Sequence, residues 1–131
     1  MYPTTRGVTQ YPTNASRLEV LNRVTKELYM QRGKLNILEI GSLYGDSAKI
    51  LAQYGNVICV DLWDWEGGFQ TFIHNIEGLP ITPMIGHSSL ILPTLMDKAF
   101  DLIYIDGCHT YPIVDADIAY SRRLINSGGI I

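Results

Sequence analysis

The stretch Leu35-Asn36-Ile37-Leu38-Glu39-Ile40-Gly41-Ser42-Leu43-Tyr44-Gly45-Asp46-Ser47 decides how the chain is read. Its first six residues are a short, mostly apolar run bounded by turn signals, the pattern of a buried strand. Gly41 and Gly45 then turn the chain, and a helix starts near Ser47. An acid, Glu39, lies inside the apolar run immediately before the turn. About twenty residues after Gly41 a second apolar run, Val57-Ile58-Cys59-Val60, ends in Asp61. A glycine turn after a first strand, with an acid ending a second, is how α/β sheets bind nucleoside cofactors. The glycines let the backbone approach the ligand, and the acid accepts hydrogen bonds from ribose hydroxyls.

Working outward, the same alternation continues. Residues 1–13 read as an arm, because Pro3, Gly7 and Pro12 oppose regular structure; residues 14–131 read as one domain. Ser16-Arg17-Leu18-Glu19 is a capping-box pattern, and Leu18, Leu21, Val24 and Leu28 follow at helical spacing up to a stop at Gly33. Strand 35–40 is followed by a helix over 47–54 with Ile50, Leu51 and Tyr54 inward, ended by Gly55, and by a strand over 56–61. Gly67-Gly68 precede a second helical stripe, Phe69, Phe72, Ile73 and Ile76. Residues 81–85 read as a third strand, which Pro83 assigns to a sheet edge. Ser88 to Leu95 form a short helix made irregular by Pro93. Asp101 to Asp106 is a strong fourth strand. Pro112 opens a helix lined by Val114, Ile118 and Leu124, with Asp115 and Asp117 suiting its positive end and Gly128 ending it. Ile130-Ile131 begin a fifth strand. Alternating strands and helices predict an α/β fold: a Rossmann-like parallel sheet with flanking helices. Ligands of such sheets sit beyond the carboxyl ends of the strands, so Gly41, Asp61, Gly86 and Asp106 are expected to converge on one crevice.

Composition bounds the partners. The 131 residues suit a single domain, and 47% hydrophobic and 18% charged residues are ordinary for a globular chain. A net charge of −3 provides neither a basic footprint for nucleic acid nor a polybasic membrane patch. No apolar run has transmembrane length, and Met1 to Arg6 lack the apolar core of a signal peptide. The two cysteines, Cys59 and Cys108, match neither a disulfide framework nor a zinc pattern. Free thiols in a reducing cytoplasm are the expectation.

The turn lacks the middle glycine of G-x-G-x-x-G, which argues against a dinucleotide fingerprint. Glu39-Ile40-Gly41-Ser42-Leu43-Tyr44-Gly45 instead resembles motif I of class I S-adenosyl-L-methionine (SAM)-dependent methyltransferases, in the E-I-G-x-x-x-G-x-S variant of small-molecule O-methyltransferases. Phe100-Asp101-Leu102-Ile103-Tyr104-Ile105-Asp106-Gly107-Cys108-His109-Thr110-Tyr111 resembles the F-D-L-I-F-I-D-G-D-H-S-Y signature of the family that includes macrocin-type sugar O-methyltransferases. Ser127-Gly128-Gly129-Ile130-Ile131 is similar to that family's P-G-G-x-I. The resemblance covers roughly residues 35–131.

The resemblance implies a SAM site built from Glu39, Gly41, Ser42, Gly45 and Asp61, with Ser88 contributing. It implies an acceptor side built from Asp106 and His109, the latter as general base or orienting group. In metal-dependent relatives the residue at Asp106 is one ligand of a divalent ion, for which Mg²⁺ suits hard oxygen donors. At Gly86-His87-Ser88 the family commonly has G-D-S, its acid reaching the adenine amine; this chain carries His87 there. Trp63 and Trp65 either wall the cofactor or cover the sheet edge. The implied reaction is methyl transfer to a hydroxyl of a small-molecule acceptor such as a sugar, polyketide or phenol. The family fold has seven strands, so a chain with four and the start of a fifth reads as C-terminally incomplete, with an exposed sheet edge through which it could form a homo-oligomer. Two other classes stay open: a nucleotide- or NAD-binding Rossmann protein, and a non-catalytic interaction module whose sheet edge is covered by a partner.

Overall fold

The computed structural model describes residues 14–106 and 111–131. The expected arm, residues 1–13, and the segment Gly107-Cys108-His109-Thr110 lie outside the described residues. Five strands, β1 (Leu35–Ile40), β2 (Gly55–Asp61), β3 (Ile81–Ile85), β4 (Phe100–Ile105) and β5 (Ile125–Ile130), form one sheet in the order β3-β2-β1-β4-β5. Every pairing is parallel. The helices are α1 (Asn14–Arg32), α2 (Asp46–Leu51), α3 (Gly68–Asn75), α4 (Ser88–Ile91) and α5 (Tyr111–Leu124); a 3-10 turn, Leu92–Thr94, follows α4.

Side-chain alternation along the strands divides the core into two layers. Leu35 and Ile37 of β1 join Val57, Cys59, Ile81 and Leu102 against Leu21 and Leu28 of α1, Leu51 of α2 and Phe72 of α3. Leu38 and Ile40 join Val60, Phe100 and Ile103 on the other face, against Leu92 and Leu124. Both faces are covered, which is why the central strands are mostly apolar. β3, with Pro83, is an edge strand as expected.

The order reverses beside β1: β2 and β3 follow on one side, β4 and β5 on the other. The crevice between β1 and β4 is thus the topological switch point, where open α/β sheets bind ligands.

Several boundaries differ from the sequence expectation. Helix α1 begins at Asn14, so Ser16 lies inside its first turn; helix ends are the least constrained part of such a reading. Helix α2 ends at Leu51, and its buried residues are Ala48 and Leu51, whereas Ile50 is only half-buried; Tyr54, beyond the helix, packs against the core as expected. Gly55 does not end a helix but begins β2, paired with Leu35. Ile73 is 41% exposed, so the inward stripe is Phe69, Phe72 and Ile76 without it.

The largest difference concerns Gly128, expected to end the last helix. That helix ends at Leu124, and Gly128 lies within β5. Arg32, at the end of α1, gathers this glycine-rich segment. Its guanidinium donates to Asp101 Oδ1 at 2.8 Å, to Asn126 Oδ1 at 2.7 Å and to the Ser127 carbonyl at 2.5 Å. Asp101 also accepts from the Asn36 amide at 2.8 Å and from Asn126 Nδ2 at 2.9 Å. Burial disfavours the charged Asp101, but the Asn36 amide, Asn126 and Arg32 outweigh it and hold its carboxyl below the usual range. The clamp fastens β5 to β4 across a break in register between Phe100 and Leu102.

Candidate functional site

The four strand-end residues do meet at one edge of the sheet. The Gly41 amide donates to the Val60 carbonyl at 2.8 Å, Gly86 to Asp61 at 3.0 Å and Asp106 to Ile40 at 2.8 Å, each extending a strand ladder to its last residue. Beyond this edge the chain must turn sharply. Gly41 (φ 88°) and Gly45 (φ 96°) take the left-handed conformation open to glycine.

Asp61 holds the loops together. Its Oδ2 accepts from the amides of Ser42 (2.8 Å) and Leu43 (2.9 Å), and its Oδ1 from the amide of Trp63 (3.2 Å). The Trp63 indole donates to the Leu43 carbonyl at 2.8 Å. Leu43 (φ 48°) and Trp63 (φ 45°) both have positive φ, a conformation that costs a side-chain-bearing residue about 1–2 kcal/mol. The shared carboxylate compensates for that strain. Trp63 is 5% exposed and packs on Phe72 and Phe69, with ring centroids 4.5 and 5.4 Å away; it covers the core. Trp65 meets the ring of Tyr44 edge-on at 5.7 Å.

Two clefts flank this turn, and Gly41 lines both. The wider, about 270 Å³, lies at the switch point and is lined by residues including Arg17, Ser42, Tyr44, Ser47, Tyr104 and Asp106. The narrower, about 90 Å³, lies towards β3 and is lined by residues including Asp61, Leu62, His87, Ser88, Ile113 and Asp117.

Glu39 lies beneath the wider cleft and not in its lining. Strand parity turns it to the α2 face, where it is fully buried. The Ser47 hydroxyl donates to its Oε2 in a short bond, and Cys59 Sγ stands 3.7 Å from its Oε1. Burial pushes the Glu39 carboxyl up to about 7, opposed by the hydroxyls of Ser47 and Ser42 and the Cys59 thiol, and reinforced by the charge of Asp106. Burial likewise pushes the Cys59 thiol up, with the neighbouring Glu39 adding to it, so this cysteine is inert. Ser42 Oγ sits near both groups, is buried, and meets neither in hydrogen-bond geometry. A buried polar atom that no described residue partners is uncommon; Ser42 lines the wider cleft, where a ligand can supply the partner.

Gly45 does not line either cleft. A β-carbon there would stand 3.2 Å from Ile76 and 3.4 Å from Phe72, so Gly45 lets α3 pack beneath the turn. Ser88 lines the narrower cleft, and its hydroxyl donates to Asp117 Oδ1 at 2.5 Å. His87 caps α4: its Nδ1 accepts from the Ser89 amide at 3.2 Å and pairs with Ser89 Oγ at 2.8 Å.

Asp106 lines the wider cleft with Arg17 Nη1 3.8 Å from its Oδ1. Among the described residues no three His, Cys, Asp or Glu side chains gather as a metal site. Asp106, one of the ligands that the resemblance implies for a divalent ion, has the Arg17 guanidinium beside it instead. His109, the expected base, falls outside the described residues.

Sequence reasoning missed Asp117 and Arg17. Asp117 is 2% exposed, although in the sequence it reads only as an acid suited to the helix dipole. The missed signal is spacing: Asp117, Ser121 and Leu124 recur at helical intervals on the buried face of α5. Arg17 likewise lies four residues before Leu21 on the inward face of α1.

Comparison with known proteins agrees with the fold. The family model described as a methyltransferase domain matches residues 38–131. No curated protein shows significant sequence similarity to the chain. Among solved structures the fold is similar to a candidate O-methyltransferase from Klebsiella pneumoniae (TM-score 0.75, 23% identity, 95% of this chain and 57% of the other). It is similar to the O-methyltransferase from Bacillus cereus in complex with SAH (0.73, 22%, 95% and 58%). It is also similar to the O-methyltransferase TomG from Streptomyces achromogenes, involved in tomaymycin synthesis and in complex with SAM (0.72, 16%, 95% and 57%). The chain thus spans between half and two thirds of the length of these structures.

Proposed function

Because the chain belongs to the methyltransferase-domain family, we propose that its two clefts hold S-adenosyl-L-methionine and that the whole protein transfers the methyl group to an oxygen of a small-molecule acceptor, such as a sugar, polyketide or phenolic hydroxyl. The observation that carries this reading is the shared lining of the clefts by Gly41, with Asp61 beside them. Together they make an elongated trough across the switch point, suited to a nucleoside joined to an amino acid.

The residues fit such a ligand. A carboxylate offers about four acceptor positions, and three loop amides use three of those on Asp61. One remains for a ribose hydroxyl. At the wider end, Ser42, Ser47 and Asp46 line the wall; their hydroxyls and carboxylate suit the cationic, amino-acid part of the ligand. When bound, SAM supplies an electrophilic methyl group on a sulfonium. The chain's own contribution is orientation: holding donor and acceptor oxygen close and collinear removes much of the entropic barrier. Asp106, in the lining of the wider cleft, orients an acceptor hydroxyl in this reading, with His109 as its partner in base catalysis.

A cytoplasmic location and self-association through the exposed sheet edges belong to the same reading. Among the described residues no helix is long and apolar enough to cross a membrane. Isothermal titration tests the central point. SAM should bind and NAD should not. Binding of NAD in preference to SAM, or binding of neither, overturns the proposal. Light scattering tests self-association, and a monodisperse monomer argues against it.

A further inference from the structure

The narrower cleft contains a buried acid with unused acceptor capacity. Asp117 reaches it from α5 and is 2% exposed. The Ser88 hydroxyl donates to its Oδ1, and no described residue donates to its Oδ2. The Ser121 hydroxyl bonds the main-chain carbonyl of Asp117, which fixes the helix turn that presents it (2.7 Å). The walls beside it are apolar: Ile40, Val60, Leu62 and Ile113. A mostly apolar slot whose lining includes a carboxylate with an open acceptor position suits a heterocycle that carries an N–H donor on its edge.

The other polar side chains of the slot are engaged: Ser88 donates to Asp117, and Asp61 accepts from three loop amides and keeps one position for a ribose hydroxyl. His87 uses the Nδ1 lone pair to cap α4, and a ring that accepts at Nδ1 carries its proton at Nε2. It therefore offers the slot a donor and no acceptor. We propose that Asp117 is the base-recognition residue of this protein: its Oδ2 accepts a hydrogen bond from the exocyclic amine of a purine, with Ser88 holding the carboxylate in place. The inference rests on the reading of the trough as a nucleoside site, and it moves the acceptor for the amine from the end of β3 to α5.

Titration of the full chain with S-adenosyl-L-homocysteine and with its 6-deamino analogue, purine in place of adenine, tests it. A site built to bond an N–H rejects a ligand that lacks one, because its own buried group is left unpaired. The parent should prefer the adenine ligand by about tenfold or more, and Asp117→Ala should reduce the preference to within about threefold. If the parent binds neither ligand, the nucleoside reading itself fails. If it binds both alike, or if folded Asp117→Ala keeps the preference, the reading stands and the assignment of Asp117 fails. A crystal structure of the parent with S-adenosyl-L-homocysteine reads the contact directly and needs no variant. The amine should lie about 2.7–3.2 Å from Oδ2, and an amine turned to solvent or to another acceptor overturns the proposal.

Discussion

Glu39→Gln should make the protein less sensitive to pH, and the size of the effect follows from burial. In the unfolded chain a glutamate has its ordinary value, 4.5, whereas the folded protein raises Glu39 to about 7, chiefly by burial. Between these values the folded state binds more protons than the unfolded state, so stability falls as pH rises from 4.5 towards 7 and levels off above that. The interval corresponds to about 3 kcal/mol, a large share of a small domain's stability. Glutamine has nearly the same shape, still accepts from Ser47 through its carbonyl oxygen, and does not ionise. Urea unfolding of parent and variant across pH 4–8 should therefore show their stability difference moving in the variant's favour by about 3 kcal/mol as pH rises. Contributions from other titrating groups cancel in the difference. Parallel pH profiles would mean that Glu39 is hydrated or ionised at no cost in the folded protein, and would refute the burial argument.

Asp61→Ala should weaken SAM binding by about 1–3 kcal/mol, the usual loss for a hydrogen bond to a charged group. It should also lower stability, because the amides of Ser42, Leu43 and Trp63 lose their acceptor; calorimetric titration and urea unfolding separate the two, and an unchanged affinity removes Asp61 from the ligand. Gly41→Ala, at φ 88°, should cost about 1–2 kcal/mol of stability by denaturation; a neutral result would show that the turn relaxes. Arg32→Ala should release the β5 segment, so that amide hydrogen exchange of Ile125–Ile130 accelerates while β1 and β2 stay protected; uniform exchange would argue against a local clamp. In the whole protein, Asp106→Asn and His109→Ala should reduce turnover more than SAM affinity, and the reverse pattern in steady-state kinetics and titration would put them on the donor side.

The parts of the fold legible in the sequence are those with a local cause. A glycine turn after an apolar run, an acid ending the next run and a proline barred from a central strand each act through the neighbouring backbone. Gly41, Asp61 and the edge position of β3 could therefore be placed from the sequence. Features fixed by distant groups could not. Asn126-Ser127-Gly128-Gly129 has no strand pattern of its own, and Arg32, which organises it, is 94 residues away from Asn126. Gly45 reads as a turn residue, but its closest neighbours belong to α3. Asp117 is obscured by a sufficient local explanation, since an acid near a helix start needs no other account; its helical spacing with Ser121 and Leu124 is the weaker signal, and the packing of α5 against α4 confirms it as buried.

The Arg32 clamp and the two clefts occupy opposite ends of the same strands. Six residues of β1 at about 3.3 Å each put roughly 20 Å between them. Substitutions separated by more than about 7–10 Å, with no shared partners, act almost additively. A change that adapts a cleft to a different ligand, and destabilises the protein in doing so, can therefore be compensated by strengthening the far end of the sheet without disturbing the new site. For laboratory evolution of acceptor or cofactor preference, the surroundings of Asp101 and Asn126 are the place to build a stability reserve before the clefts are randomised.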